Sequence, residues 1–154
     1  GCAGVVVGRG CMGRPWLFGQ LAAAFAGEEI PADPDFRGVA ATMRRHAELL
    51  VEVLGPDKGP RDFRKHIAWY LKGFAVRREV RQGLAMVDSL DDVDAWLAQI
   101  DLDQPWPGDV AEGPRGRTQP GKRVALPDGW LDDPDDLTDV LPSLAAAELS
   151  VSGG

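Results

Sequence analysis

The chain has 154 residues, 44% of them apolar and 27% charged, enough to bury one core but short of the roughly 250 residues of a complete β/α barrel. Two cysteines exclude a disulfide scaffold, and neither stands with His46 or His66 at a metal-ligand spacing, so the reading is no metal and a reducing, cytoplasmic setting. A formal charge of −7, if evenly spread, excludes a polyanionic partner, because phosphate contact needs a positive field at the surface.

The charge is not evenly spread. Lys58, Arg61, Arg64, Lys65, Lys72, Arg77, Arg78 and Arg81 stand against only Asp62 and Glu79 in the middle of the chain, and the acids gather from Asp91 onward. No apolar run approaches the ~20 residues that span a bilayer, and no charged-then-apolar leader is present. The first residues, Gly1 to Val7, lie inside an apolar stretch with no initiator methionine, the pattern expected of a fold cut across.

In chain order, Val5, Val6 and Val7 between glycines predict a buried strand of a parallel sheet. Gly8-Arg9-Gly10 then makes a turn, and Pro15 opens an amphipathic helix through Trp16, Leu17, Leu21, Ala22 and Phe25. Residues 27 to 37, with prolines at 31 and 34, form a linker. Asp35 caps a helix carrying Val39, Met43, Leu50 and Leu54 at helical spacing, which Gly55-Pro56 stops. A second helix, Arg61 to Phe74, places Phe63, Ile67, Tyr70 and Leu71 on one side. A third takes part of Val76 to Val87, and a fourth starts at Ser89, which with Asp92 has capping-box spacing ahead of Val93, Trp96 and Leu97. From Asp103 the composition is too poor in core formers to offset ordering entropy, so residues 103 to 154 are expected to be a mostly disordered acidic extension with one short helix near Leu141 to Leu149.

Two constellations carry chemistry. A buried strand running into a glycine turn and a helix start gathers backbone N–H groups around a concavity that holds a phosphate, and barrels build their phosphate site there; Gly8 and Gly10 allow close approach and Arg9 adds charge. The same pattern also serves as an ordinary tight connection. In the second constellation, Arg61, Arg64, Lys65 and Lys72 interleave with aromatic residues along a helix and suit a row of phosphates, although a charge run is also what a solvated helix face shows. Within it, His66 reads as a structural histidine, and Trp69 and Tyr70 read as core beside Ile67 and Leu71.

At these two places together the chain resembles a known family. Val5-Val6-Val7-Gly8-Arg9 followed by Gly13-Arg14-Pro15-Trp16-Leu17-Phe18 resembles the end of the flavin-binding barrel of bacterial tRNA-dihydrouridine synthases. Arg64-Lys65-His66 followed by Trp69-Tyr70 is similar to the signature of those enzymes' helical domain. The resemblance covers residues 1 to about 100, and the extension has no counterpart in the family's pattern.

The resemblance implies a TIM-type α/β barrel remnant in residues 1–26, the linker 27–37, an all-α helical tRNA-binding bundle in 38–102 and the extension 103–154. It implies an FMN enzyme that uses NADPH and reduces the 5,6-double bond of a uridine turned out of its tRNA stack. Gly8 and Arg9 match the FMN-phosphate turn; Arg61, Arg64, Lys65 and Lys72 are assigned to the tRNA backbone. The family's catalytic acid is a cysteine on an earlier barrel loop, whose motif neither Cys2 nor Cys11 matches, so no catalytic residue is assigned in this chain. The alternative is a stand-alone helical RNA-binding module without redox activity.

Overall fold

The structure, a computed structural model, describes residues 3–113; the expected helix near Leu141 to Leu149 and Cys2 lie outside the described residues. All of residues 3–113 belong to one compact unit. A 3-10 turn at Arg9–Cys11 precedes α1 (Leu17–Ala26), α2 (Phe36–Leu54), α3 (Gly59–Tyr70), α4 (Arg78–Leu84), α5 (Leu90–Leu97) and the short α6 (Asp109–Glu112).

The caps written in the sequence hold the helices where they start. The Asp35 carboxylate accepts from the Gly38 N–H at 2.9 Å and opens α2. At α5 the Ser89 hydroxyl accepts from the Asp92 N–H at 3.0 Å while the Asp92 carboxylate accepts from the Ser89 N–H at 3.0 Å, satisfying two end groups that the helix cannot. The N–H groups of Asp88 and Ser89 and the Ser89 hydroxyl stabilise that carboxylate's charge and hold its pKa low.

The core forms where α2 packs against α3 and α5. Phe36, Val39, Met43 and Ala47 on α2, Phe63 and Ile67 on α3, Val80 and Leu84 on α4 and Val93 on α5 are buried in one cluster. The α2–α3 approach is close because Gly59 has no side chain: a Cβ there would lie 2.6 Å from the Val51 backbone.

Three expectations change. Val5 to Val7 form no strand among the described residues; Val5 is 58% and Val6 99% exposed, because a parallel strand needs neighbours to satisfy its ladder and bury its side chains, and the described residues supply none. The helix read from Arg61 to Phe74 ends at Tyr70, and Gly73, at φ 86°, turns the chain away. Residues 103 to 113, placed by composition in the extension, lie against the helices, as does Leu102 before them. Trp106 meets Trp16 and Phe74 edge-on with ring centroids 5.5 and 5.8 Å apart. The Gln104 and Leu102 carbonyls accept from the N–H groups of Phe36 and Arg37 at the start of α2, and the Lys72 ammonium donates to the Gly113 carbonyl at 2.6 Å. One large aromatic side chain, the buried Ala111 and a few hydrogen bonds, two of them between the Gln104 side chain and the Ala75 backbone, hold a segment that is poor in apolar residues.

Candidate functional site

The Gly13-Arg14-Pro15-Trp16 loop and the Trp69-Tyr70 end of α3, far apart in sequence, touch. Gly13 is buried at φ 68°, and a Cβ on it would lie 2.5 Å from the Trp69 carbonyl carbon and 2.7 Å from the Tyr70 nitrogen. Only glycine adopts that backbone without strain and leaves room for the helix beneath it.

The next residues lock the loop in place. Asp33 of the linker accepts from Trp16 Nε1 at 3.0 Å and from Gln20 Nε2 at 3.2 Å. Arg14, only 12% exposed, reaches Asp33 at 3.5 Å and Glu112 at 3.6 Å, with its guanidinium carbon 5.4 Å from the Trp106 ring centroid. A cation over an aromatic face and between two carboxylates offsets part of its desolvation.

Beside this junction lies a groove of about 720 Å³, walled by Met12, Gly13 and Phe18 on one side and by α2 and α3 on the other. His46 of α2 and His66 of α3 meet across its floor with ring centroids 4.6 Å apart, and His46 Nδ1 lies 3.1 Å from the Tyr70 hydroxyl. Burial pushes the His46 pKa down against the opposing charge of Asp62. Burial, then His46 and Lys65, push down that of His66, again against Asp62. Burial raises the Tyr70 hydroxyl to about 12, so at neutral pH a protonated tyrosine stands beside a neutral imidazole, and the tautomer of that ring sets which of the two donates.

The residues singled out in the sequence fall into two groups. Gly8 and Arg9 sit at the start of the 3-10 turn, and a Cβ at Gly8 would meet nothing within 4 Å. The leading N–H groups of such a turn have no acceptor within it, so the turn has donors and room for a phosphate, and the residues present fit that group. Of the four basic residues, Arg61 and Arg64 converge on Asp88 at 3.1 and 2.6 Å, and Lys65 pairs with Asp62 at 2.9 Å. Arg64 also donates to the carbonyls of Val87 at 2.8 Å and Met86 at 3.0 Å, tying α3 to the segment before α5. Lys72 lies past the end of α3 and not on its face. Arg81 bonds the carbonyls of Leu71, Phe74 and Val76, so part of the basic run is structural.

Sequence reasoning missed the groove. By spacing His46 pairs with nothing and Trp69 reads as core, because the groove draws on three separate segments and no periodicity links them.

Comparison with known proteins bears on the same residues. Residues 1–104 match the family model described as dihydrouridine synthase. The chain belongs to the dihydrouridine synthase family. It is 53% identical over 154 residues to a "Probable tRNA-dihydrouridine synthase" of Mycobacterium leprae, covering 100% of this chain and 39% of that protein. It is 55% identical over 136 residues to a protein of the same name from Mycobacterium tuberculosis, covering 88% of this chain and 35% of that one. A "tRNA-dihydrouridine synthase B" of Xanthomonas axonopodis is 36% identical over 98 residues, 64% of this chain and 29% of the relative. The chain thus spans little more than a third of the mycobacterial relatives' length. The extension, expected to have no family counterpart, lies past the matched family region but is aligned along its whole length with the Mycobacterium leprae protein. Among the described residues, no helix of this family member is long and apolar enough to cross a membrane, and no group of His, Cys, Asp and Glu is placed to hold a metal ion.

Proposed function

We propose that this chain supplies two parts of a cytoplasmic, flavin-dependent tRNA-dihydrouridine synthase: the turn that holds the phosphate of FMN and the helical surface that receives tRNA. One observation carries the reading: Gly13 seated on Trp69 and Tyr70 joins the loop that continues the phosphate turn to the helix that bears the basic row. A substrate strand lying along α3 is thereby brought to the edge of the flavin site.

In this reading the backbone N–H groups after Gly8 bind the FMN phosphate and Arg9 neutralises its charge. When bound, FMN supplies the hydride for the 5,6-double bond of uridine, having been reduced by NADPH. Arg61 and Lys65, with side chains 63% and 58% exposed, are the tRNA phosphate contacts. Arg64 and Lys72 contribute to the same field, but direct contact requires them to release the Met86, Val87 and Gly113 carbonyls, so they act chiefly by fixing the surface. The acid that protonates the uracil ring is assigned to the rest of the enzyme.

The test is tRNA binding by this chain as salt is varied. Phosphate contacts by Arg61 and Lys65 predict a linear fall of log affinity with log salt, and R61A/K65A is expected to flatten that slope by roughly one to two units. An unchanged slope refutes the assignment of these two residues. Salt-dependent binding by the chain, combined with full dihydrouridine formation by a longer enzyme carrying Gly8→Val, would favour the alternative, a helical RNA-binding module with no flavin role, which draws on the self-contained core of α2 to α5.

A further inference from the structure

Building on the reading of α3 as an RNA contact, we propose that the 720 Å³ groove beside it receives one unpaired nucleobase of the bound strand, stacked on Trp69. Arg61, Lys65 and Trp69 follow one another at i, i+4 and i+8 along α3 and so share one side of the helix. A strand whose phosphates lie on the two cations is led to an aromatic ring at the groove's edge.

The lining selects a base over a phosphate. Trp69 meets the His66 ring edge-on at 5.2 Å, and His66 lies tilted against His46 at 4.6 Å, so one wall of the groove is a continuous run of aromatic rings, the kind of lining on which bases stack. The polar atoms between them belong to uncharged groups: two imidazoles that burial keeps neutral and the Tyr70 hydroxyl bonded to His46. Such groups offer both donors and acceptors to the edge of a neutral ring. Arg45, the one guanidinium on the wall, is already bonded to Glu48 at 3.2 Å and Glu52 at 2.9 Å, which leaves little positive charge for an anion. The volume falls within the roughly 300–1,000 Å³ of small-molecule sites, ample for one nucleoside. The opposite wall, Met12 and Gly13, is fixed because Gly13 rests on the helix backbone, so the slot is preformed.

The experiment uses the full chain and a short single-stranded RNA carrying one 2-aminopurine, whose fluorescence falls when the base stacks. Wild-type binding is expected to quench the probe. Trp69→Ala abolishes the quench and weakens affinity roughly 5- to 150-fold, the range for loss of one base–aromatic stack, with the salt slope unchanged; Trp69→Phe keeps most of both. Lys65→Ala lowers the slope by about 0.7 and leaves the quench at saturation intact. Because Trp69→Ala disturbs packing, Ala41→Leu narrows the groove from the exposed side of α2 and is expected to reduce the quench with helicity preserved by circular dichroism. Wild-type quench and affinity in a folded Trp69→Ala or in Ala41→Leu overturn the base slot while the RNA reading stands. Trp69→Ala that lowers only the melting temperature assigns the groove to protein packing and equally overturns it. Absence of any salt-dependent binding by the wild type overturns the slot together with the RNA reading.

Discussion

Residues 36–100 carry a smaller share of apolar side chains than residues 3–26, yet bury more of them. In the first region every helix finds its partner locally, and Phe36, Met43, Phe63, Leu84 and Val93 are fully buried. In the second, Val6 is 99% exposed, and Phe18 and Phe25 of α1 are 54% and 62% exposed, while docking falls to a few residues, chiefly Gly13, Arg14 and Trp16. A helix closes its own backbone bonds and needs only a face to pack on, whereas a strand needs a neighbour before its valines count as core. The apolar pattern is the same kind of signal in both; the bond accounting decides which of the two becomes structure.

Substitutions that probe each region separately can break this contrast. The largest effect is expected from Phe63→Ala, which opens a cavity in the α2–α3 core and should cost about 3–5 kcal/mol in chemical denaturation. Gly13→Ala should follow at about 3 kcal/mol, since a Cβ must both enter a left-handed backbone and displace the end of α3. Arg64→Ala should cost about 1–2 kcal/mol by freeing the Met86 and Val87 carbonyls, with the melting transition still cooperative. Val6→Ser should change stability by no more than about 0.5 kcal/mol; a loss comparable to that of Phe63→Ala would mean that the valines are buried after all.

Acid sharpens the contrast further. His46 and His66 have folded pKa values below the ordinary 6.5, so the unfolded chain takes up protons first. Their neutral forms therefore add stability above 6.5 that is lost as pH falls through the lower folded values. The melting temperature should drop on going from pH 7 to 5, and less so in His66→Gln; an equal drop would place the proton-linked groups elsewhere.

The helix starts were legible because their signals are local: Asp35 needs only the Gly38 N–H, and Ser89 and Asp92 need only each other. The end of α3 was not, because the pattern of Tyr70, Leu71 and Phe74 continues on one helical side while Gly73 turns the backbone. Trp106 shows the limit of composition, since a segment too poor in apolar residues to build a core still docks onto one built by others. At the site, Gly8, Arg9, Arg61 and Lys65 could be named from residue type and spacing. The engagement of Arg64 with two carbonyls, and the meeting of His46 with His66, arise only when α2 and α3 pack side by side.

The most direct test of the account follows the amide resonances of isotope-labelled chain during titration with an unmodified tRNA transcript. If the junction of loop and helix is the functional surface, resonances of residues 8–13 and of Arg61 to Trp69 should shift together with one binding constant. Shifts confined to residues far from both segments, or the two segments titrating with different constants, would contradict it.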